Sequence, residues 1–181
     1  MLRVKPILMM FFLTMVVACT SKPSDEEANS VVDANGYTTS TLSAGKLQLK
    51  WRLINNTTLD AALIGDPGGD GWVAIGFGKS VMSGAKIILA QNGSDGTLLS
   101  TATGFNFGLN NAAINLTSSN ITVIGTEITA SFNVSLADID VSSGQSTSII
   151  WAYKTIAQTV QSNVSNVGQH SARGSSRITF Q

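Results

Sequence analysis

The strongest constraint on the fold is a two-residue alternation over residues 46–54, whose sequence is KLQLKWRLI. Leucine or tryptophan occupies every second position, and lysine, glutamine and arginine lie between them. Successive side chains of a β-strand point to opposite faces, so the pattern predicts a half-buried antiparallel strand. A helix would scatter the same apolar residues around its circumference, and the pattern therefore excludes a helix here.

Short strand-like segments recur along the chain, and no long helical period does. Residues 72–77, WVAIGF, are apolar on both faces and predict a core strand. Further strands are predicted at 61–64, 86–90, 98–103, 120–124, 127–134, 148–153 and 177–180, with one helical turn at 136–139. About nine or ten short strands predict an all-β fold, a single antiparallel β-sandwich.

Composition removes several classes of function. The chain has 11 basic and 11 acidic residues, so no overall charge attracts it to nucleic acid, and we expect no nucleic-acid partner. It has one cysteine and one histidine, which excludes a disulfide framework and any site that needs two imidazoles.

The N-terminus is typical of an exported lipoprotein. Arg3 and Lys5 precede an apolar run at 7–17 that is too short to span a bilayer, so residues 1–18 are predicted to be a signal peptide. The run ends in VVAC, which resembles a lipobox with Cys19 as the lipidated residue. We expect an extracytoplasmic protein anchored to a membrane by this lipid. Thr20 after the cysteine favours the outer membrane or cell surface, and an ordinary cleaved signal is the alternative.

Residues 19–43 follow as a predicted lipidated N-terminus and flexible tether. They are polar, acidic and nearly free of large apolar side chains, so they bury too little surface to offset the entropy of ordering. The globular domain is therefore predicted at 44–181.

Two segments of this domain resemble the DOMON superfamily. Residues 71–90, GWVAIGFGKSVMSGAKIILA, match its strand with Gly and Trp, followed by a loop that ends in Met, a small residue, Gly and Ala. The later segments IIWAYK (149–154) and QHSARG (169–174) resemble its C-terminal half. The resemblance covers roughly 44–181 and implies a β-sandwich. Some members resemble the cytochrome domain of cellobiose dehydrogenase and bind haem b, and others lack the ligands.

The resemblance implies a non-covalent haem b with Met82 and His170 as axial ligands of the iron, and Lys154 as a distant substitute for His170. An apolar pocket is expected from Trp72 and Phe77, with Ile75, Phe105 and Phe107 as further candidates, and Arg173 and Arg177 are the candidate partners of the propionates. Two readings without a cofactor remain open here. A lone histidine in a polar loop is commonly solvated, and a methionine after a core strand is commonly packing.

A thioether and an imidazole would leave iron six-coordinate, which suits one-electron transfer better than catalysis. The expected function is therefore a lipid-anchored b-type cytochrome, not an enzyme by itself, that exchanges electrons with extracytoplasmic redox proteins or small reductants. One alternative is a haem-free DOMON module that binds a carbohydrate or another small ligand. Another is a purely structural surface lipoprotein.

Overall fold

A computed structural model describes residues 28–43, 45–105, 108–156 and 159–181. These ranges contain two 3-10 turns, at Ala137–Ile139 and Val164–Asn166, and no α-helix. They also contain twelve strands: β1 Ser30–Val32, β2 Thr38–Thr41, β3 Leu47–Ile54, β4 Thr58–Gly65, β5 Gly71–Phe77, β6 Lys86–Gly93, β7 Gly96–Phe105, β8 Gly108–Asn111, β9 Leu116–Ile124, β10 Glu127–Ser135, β11 Ser146–Thr155 and β12 Ala172–Thr179.

The strands form two six-stranded antiparallel sheets, which confirms the predicted β-sandwich. The first sheet has the order β1-β2-β3-β4-β10-β9, and the second has the order β12-β11-β5-β6-β7-β8. Twelve strands exceed the nine or ten expected, because β1, β2 and β8 have only three or four residues and no alternation that predicts them.

The main core lies between the sheets and follows from the alternation. In β3 the side chains of Leu47, Leu49 and Trp51 are buried, as the sequence predicts. The ring of Trp51 packs edge-on against Phe180 at 5.5 Å between centroids, and Phe180 lies 6.1 Å from Phe77. These three rings join the two sheets.

The first sheet begins earlier than the predicted domain boundary at residue 44. Strands β1 and β2 lie inside the segment expected to be a flexible tether, and β2 pairs with β3 from Thr38 to Thr41. The phenol of Tyr37 explains this difference. Its hydroxyl donates to Asp60 at 2.6 Å, and its ring is covered by Lys50 and Arg52.

The predicted signal peptide at 1–18 and Cys19 lie outside the described residues, as does Phe107. Within the described part of the chain, no helix is long and apolar enough to cross a membrane.

Candidate functional site

The second sheet carries apolar side chains on both faces. In β5 the odd positions Val73, Ile75 and Phe77 face the other sheet, and the even positions Trp72 and Ala74 face outward. The outward cluster continues across the neighbouring strands and comprises Trp72, Ala74, Ala85, Ile87, Leu89, Ala102, Val164 and Val167. A sandwich needs only one buried face per sheet, so a second apolar face indicates a layer that covers it.

One part of that layer is the loop between β5 and β6, which carries Met82. The loop is fixed to β7 at Gly104, whose carbonyl accepts from the amide of Gly84 at 2.8 Å and whose amide donates to Ala85 at 3.0 Å. A Cβ at position 104 would overlap the carbonyl oxygen of Met82. The absence of a side chain at Gly104 therefore allows the Met82 backbone to lie directly on the sheet.

The other part is residues 159–171, which we call the strap, because it crosses the outer face before β12 begins. Two polar side chains hold its first residues, Val160 and Gln161. The buried amide of Gln91 donates to the carbonyl of Gln161 at 2.9 Å and accepts from its amide at 3.0 Å, and Asp95 accepts from the amide of Val160 at 2.7 Å.

Two more side chains hold the middle of the strap, shortly before His170 in the sequence. Asn111 accepts from the amide of Val164 at 3.1 Å, and the indole of Trp72 donates to the carbonyl of Val167 at 2.9 Å. Both valines are buried in the outward apolar cluster. His170 follows Val167 by three residues and is partly buried.

Two adjoining cavities, of about 600 and 460 Å³, lie between the sheet, the Met82 loop and the strap. Both are lined by Trp72, Met82, Leu109, His170 and Arg173. Ala74, Gly76 and Ala152 are among the residues that line the larger cavity, and their small size leaves room above the strands. Volumes in this range are typical of sites for small molecules and cofactors.

The charges around the cavities are positive. Arg173 lines both cavities, and no aspartate or glutamate of the described residues does. Lys154 lies against the strap, since a Cβ on Gly168 would be 2.8 Å from its Nζ atom. Burial lowers the pKa of His170 below its usual 6.5, and the charges of Arg173 and Lys154 lower it further. The imidazole is therefore held in its neutral form, which is the form that binds a metal.

Four predicted site residues are brought together: Trp72, Met82, His170 and Arg173 line the same space. Phe77 is not in the pocket, because its odd position in β5 places it in the core between the sheets. Arg177 does not border either cavity. It lies farther along β12, where its side chain donates to the hydroxyl and the carbonyl of Ser146 at 3.1 and 3.2 Å.

The remaining candidate residues also lie mostly outside the cavities. Ile75 is fully buried in the inter-sheet core and only borders the larger cavity. Phe105 is 61% exposed at the end of β7 and does not line a cavity. Lys154 lies beside the strap without lining either cavity.

Sequence reasoning missed the residues that hold the two segments in place, Gly104, Gln91 and Asn111. Their partners lie between 19 and 70 residues away along the chain, so no local pattern marks them. One signal was available: a glutamine inside an apolar strand is seldom buried without a specific hydrogen-bonding partner.

No protein-family model and no curated protein sequence matches the chain. Solved structures do. The cytochrome domain of cellobiose dehydrogenase from Myriococcum thermophilum is similar with a TM-score of 0.59 at 13% identity, covering 87% of this chain and 90% of that one. The cytochrome b domain of pyranose dehydrogenase from Coprinopsis cinerea is similar with a TM-score of 0.59 at 10% identity, covering 84% and 87%. The predicted resemblance is thereby confirmed at the level of the fold.

Proposed function

We propose that the protein is an extracytoplasmic b-type cytochrome that transfers single electrons, with Met82 and His170 as the axial ligands of a non-covalent haem. One observation carries the proposal. Met82 is the only methionine after residue 15 and His170 the only histidine of the chain, and both line the same two cavities. Nothing in the packing of a sandwich requires these two side chains to share one space.

The donor set fits the chemistry of a haem. A porphyrin supplies four nitrogen ligands, so the protein needs to provide only two axial groups, a thioether and a neutral imidazole. A bound haem with these ligands would supply reversible one-electron exchange, and the thioether would raise its reduction potential relative to two imidazoles.

The surrounding residues suit the rest of such a group. The apolar outer face of β5, β6 and β11 would bury a flat hydrophobic ring system and exclude water from it. Arg173 would pair with propionate carboxylates, and Lys154 is the second cation within reach of the strap. Neither cation has an ion-pair partner among the described residues.

An absorption spectrum tests the proposal. The full chain would be produced with a supply of haem, purified in detergent, and recorded oxidised and then reduced with dithionite. We expect a sharp Soret band and resolved α and β bands on reduction, lost in His170→Ala and altered in Met82→Ala. A folded, colourless protein that ignores added hemin would refute the cytochrome and favour a haem-free module, which retention on glycan supports would then identify.

The proposal includes a lipid anchor at Cys19, with extracytoplasmic redox proteins or small reductants as partners. An anchor would keep an electron carrier close to oxidoreductases of the membrane or cell surface. Metabolic labelling with a radioactive fatty acid tests it. We expect label in the wild-type chain and none in Cys19→Ser, which would also leave the membrane fraction. Equal labelling of both chains would refute the anchor without bearing on the haem.

A further inference from the structure

The three tryptophans of the chain differ in the hydrogen bonding of their indole N–H groups. The Nε1 atoms of Trp51 and Trp151 are buried and have no acceptor among the described residues. The Nε1 atom of Trp72 donates to the carbonyl of Val167 at 2.9 Å, across 95 residues of sequence. Trp72 is 4% exposed, so this bond is shielded from water.

On the C-terminal side of His170, the amide of Ser171 donates to the carbonyl of Tyr153 at 2.9 Å, so the strap is fixed there by β11. On the N-terminal side its attachments are fewer. Most of residues 162–169 are exposed, and Val164 and Val167 are the two that are buried. The Trp72 bond holds one valine at its carbonyl, and the side chain of Asn111 holds the other at its amide. Gly168 then turns the chain with a φ of +72°, a conformation that favours glycine, and leads to His170.

We infer that Trp72 and Asn111 are positioning residues for His170, acting through the carbonyl of Val167 and the amide of Val164. The inference rests on the proposed function, since it assigns these bonds to the orientation of the proposed axial ligand. The ring of Trp72 fills the apolar face, and its N–H fixes the strap. Groups that hydrogen-bond to a metal ligand hold it in orientation, and their loss commonly lowers affinity for the metal by about 10- to 100-fold. Trp72 and Asn111 would act in the same way on the backbone that carries His170.

Two tryptophan variants separate the N–H of Trp72 from a general loss of packing. Trp72→Phe removes the donor to Val167 and keeps an aromatic ring. Trp51→Phe makes the same chemical change in the inter-sheet core, where the N–H has no acceptor among the described residues. Each would be measured in the full chain by hemin titration, by the low-spin signature of the oxidised spectrum, and by amide hydrogen exchange of residues 164–170 without haem.

We expect Trp72→Phe to bind hemin about 10- to 100-fold more weakly, to lose part of the low-spin signature, and to exchange the strap amides faster. Trp51→Phe should match the wild type in all three. Equal behaviour of the two variants would overturn the inference. If the wild-type chain binds no hemin, the proposed function fails, and the exchange rates alone then decide whether Trp72 fixes the strap.

Asn111 provides an independent arm, because it is exposed and its replacement leaves the core intact. Asn111→Ala removes the acceptor for the Val164 amide, whereas Asn111→Asp keeps it. We expect faster exchange of the Val164 amide and weaker hemin binding in the alanine variant, with both restored in the aspartate variant. Wild-type exchange in Asn111→Ala would remove Asn111 from the inference.

Discussion

The outer faces of the two sheets differ, although the sheets have equal numbers of strands. On the first sheet, the outward positions of β3 and β4 carry Lys50, Arg52 and Asp60. On the second, the outward positions of β5 and β6 carry Trp72 and Leu89, and they are buried. The outer face of the first sheet is polar and partly exposed to solvent. The outer face of the second sheet is partly covered by the Met82 loop and the strap.

The difference marks the second face as the place where the proposed haem would bind. Burial of apolar surface stabilises the folded chain by about 25 cal/mol for each Å² removed from water. An apolar face left exposed to water would lack that stabilisation. The two covering segments bury only part of the second face, and the two cavities remain between them and the strands. A hydrophobic cofactor would complete the burial that the chain leaves unfinished.

The same charged substitution on each outer face should give the largest difference in stability and in hemin binding. Ala74 lies outward in β5 and is 7% exposed, and Ala62 lies outward in β4 and is partly exposed. Ala74→Asp places a carboxylate in an apolar layer, so we expect it to lower the free energy of unfolding by several kcal/mol and to abolish hemin binding. Ala62→Asp should change neither quantity appreciably. Urea unfolding and hemin titration measure both, and similar losses in the two variants would contradict the contrast.

The attachment of Met82 should be the next most sensitive feature. Gly104→Ala places a methyl group where the Met82 carbonyl lies, so the loop must move. We expect a loss of about 1–3 kcal/mol in unfolding free energy, the usual cost of overpacking a core. If Met82 holds the proposed haem, the haem-loaded variant should also have a lower reduction potential than the wild type. Gly108→Ala is the control, because the nearest atom to its Cβ, the carbonyl oxygen of Phe105, would lie 3.8 Å away. An unchanged potential in Gly104→Ala would show that Met82 tolerates the shift.

Much of the fold follows from local patterns. The alternation in β3 and the continuous apolar run in β5 predict a half-buried strand and a fully buried one, and both are present. The covering of β5 is not local, because it depends on a strap about 90 residues later in the chain. The run therefore predicts that both faces are buried and leaves open what buries them.

For the candidate site, the sequence predicts the lining residues only in part, and the haem chemistry stays a prediction. The family resemblance points to Met82 and His170, and both side chains line the same cavity. Phe77 is expected in the apolar pocket with Trp72, but the two residues are five positions apart in β5, and a period of two places them on opposite faces. Arg177 is close to His170 in sequence, but the extended chain of β12 places it away from both cavities.

On the first sheet, the hydrogen-bond network around Tyr37 should contribute less to the free energy of unfolding than the packing at Gly104 does. Tyr37→Phe removes the donor to Asp60, and we expect a loss of about 1 kcal/mol in unfolding free energy because the network is partly solvated. Hemin binding should not change, since Tyr37 lies on the first sheet. Tyr153→Phe, whose hydroxyl has no hydrogen-bond partner in the described part of the chain, is the matched control. An equal loss in both variants would remove the network as the reason that β2 joins the sheet.

The smallest expected effect concerns the protonation of His170 in the protein without haem. Burial and the charges of Arg173 and Lys154 lower the pKa of this imidazole, so the folded chain binds the proton less readily than the unfolded chain does. Stability from this group is complete above pH 6.5 and is lost as the pH falls toward the lowered value. Arg173→Gln should raise the pKa toward 6.5.

Because His170 is the only histidine, its imidazole proton resonance can be followed by NMR without ambiguity. Arg52→Gln is the control, since Arg52 pairs with Asp60 on the opposite sheet and should leave the titration unchanged. A pKa in Arg173→Gln equal to that of the wild type would mean that burial alone keeps the imidazole neutral. The positive rim would then serve the carboxylates of a bound ligand and not the protonation of the histidine. The second face would still differ from the first in its packing, but the charges beside His170 would not set the protonation of its imidazole.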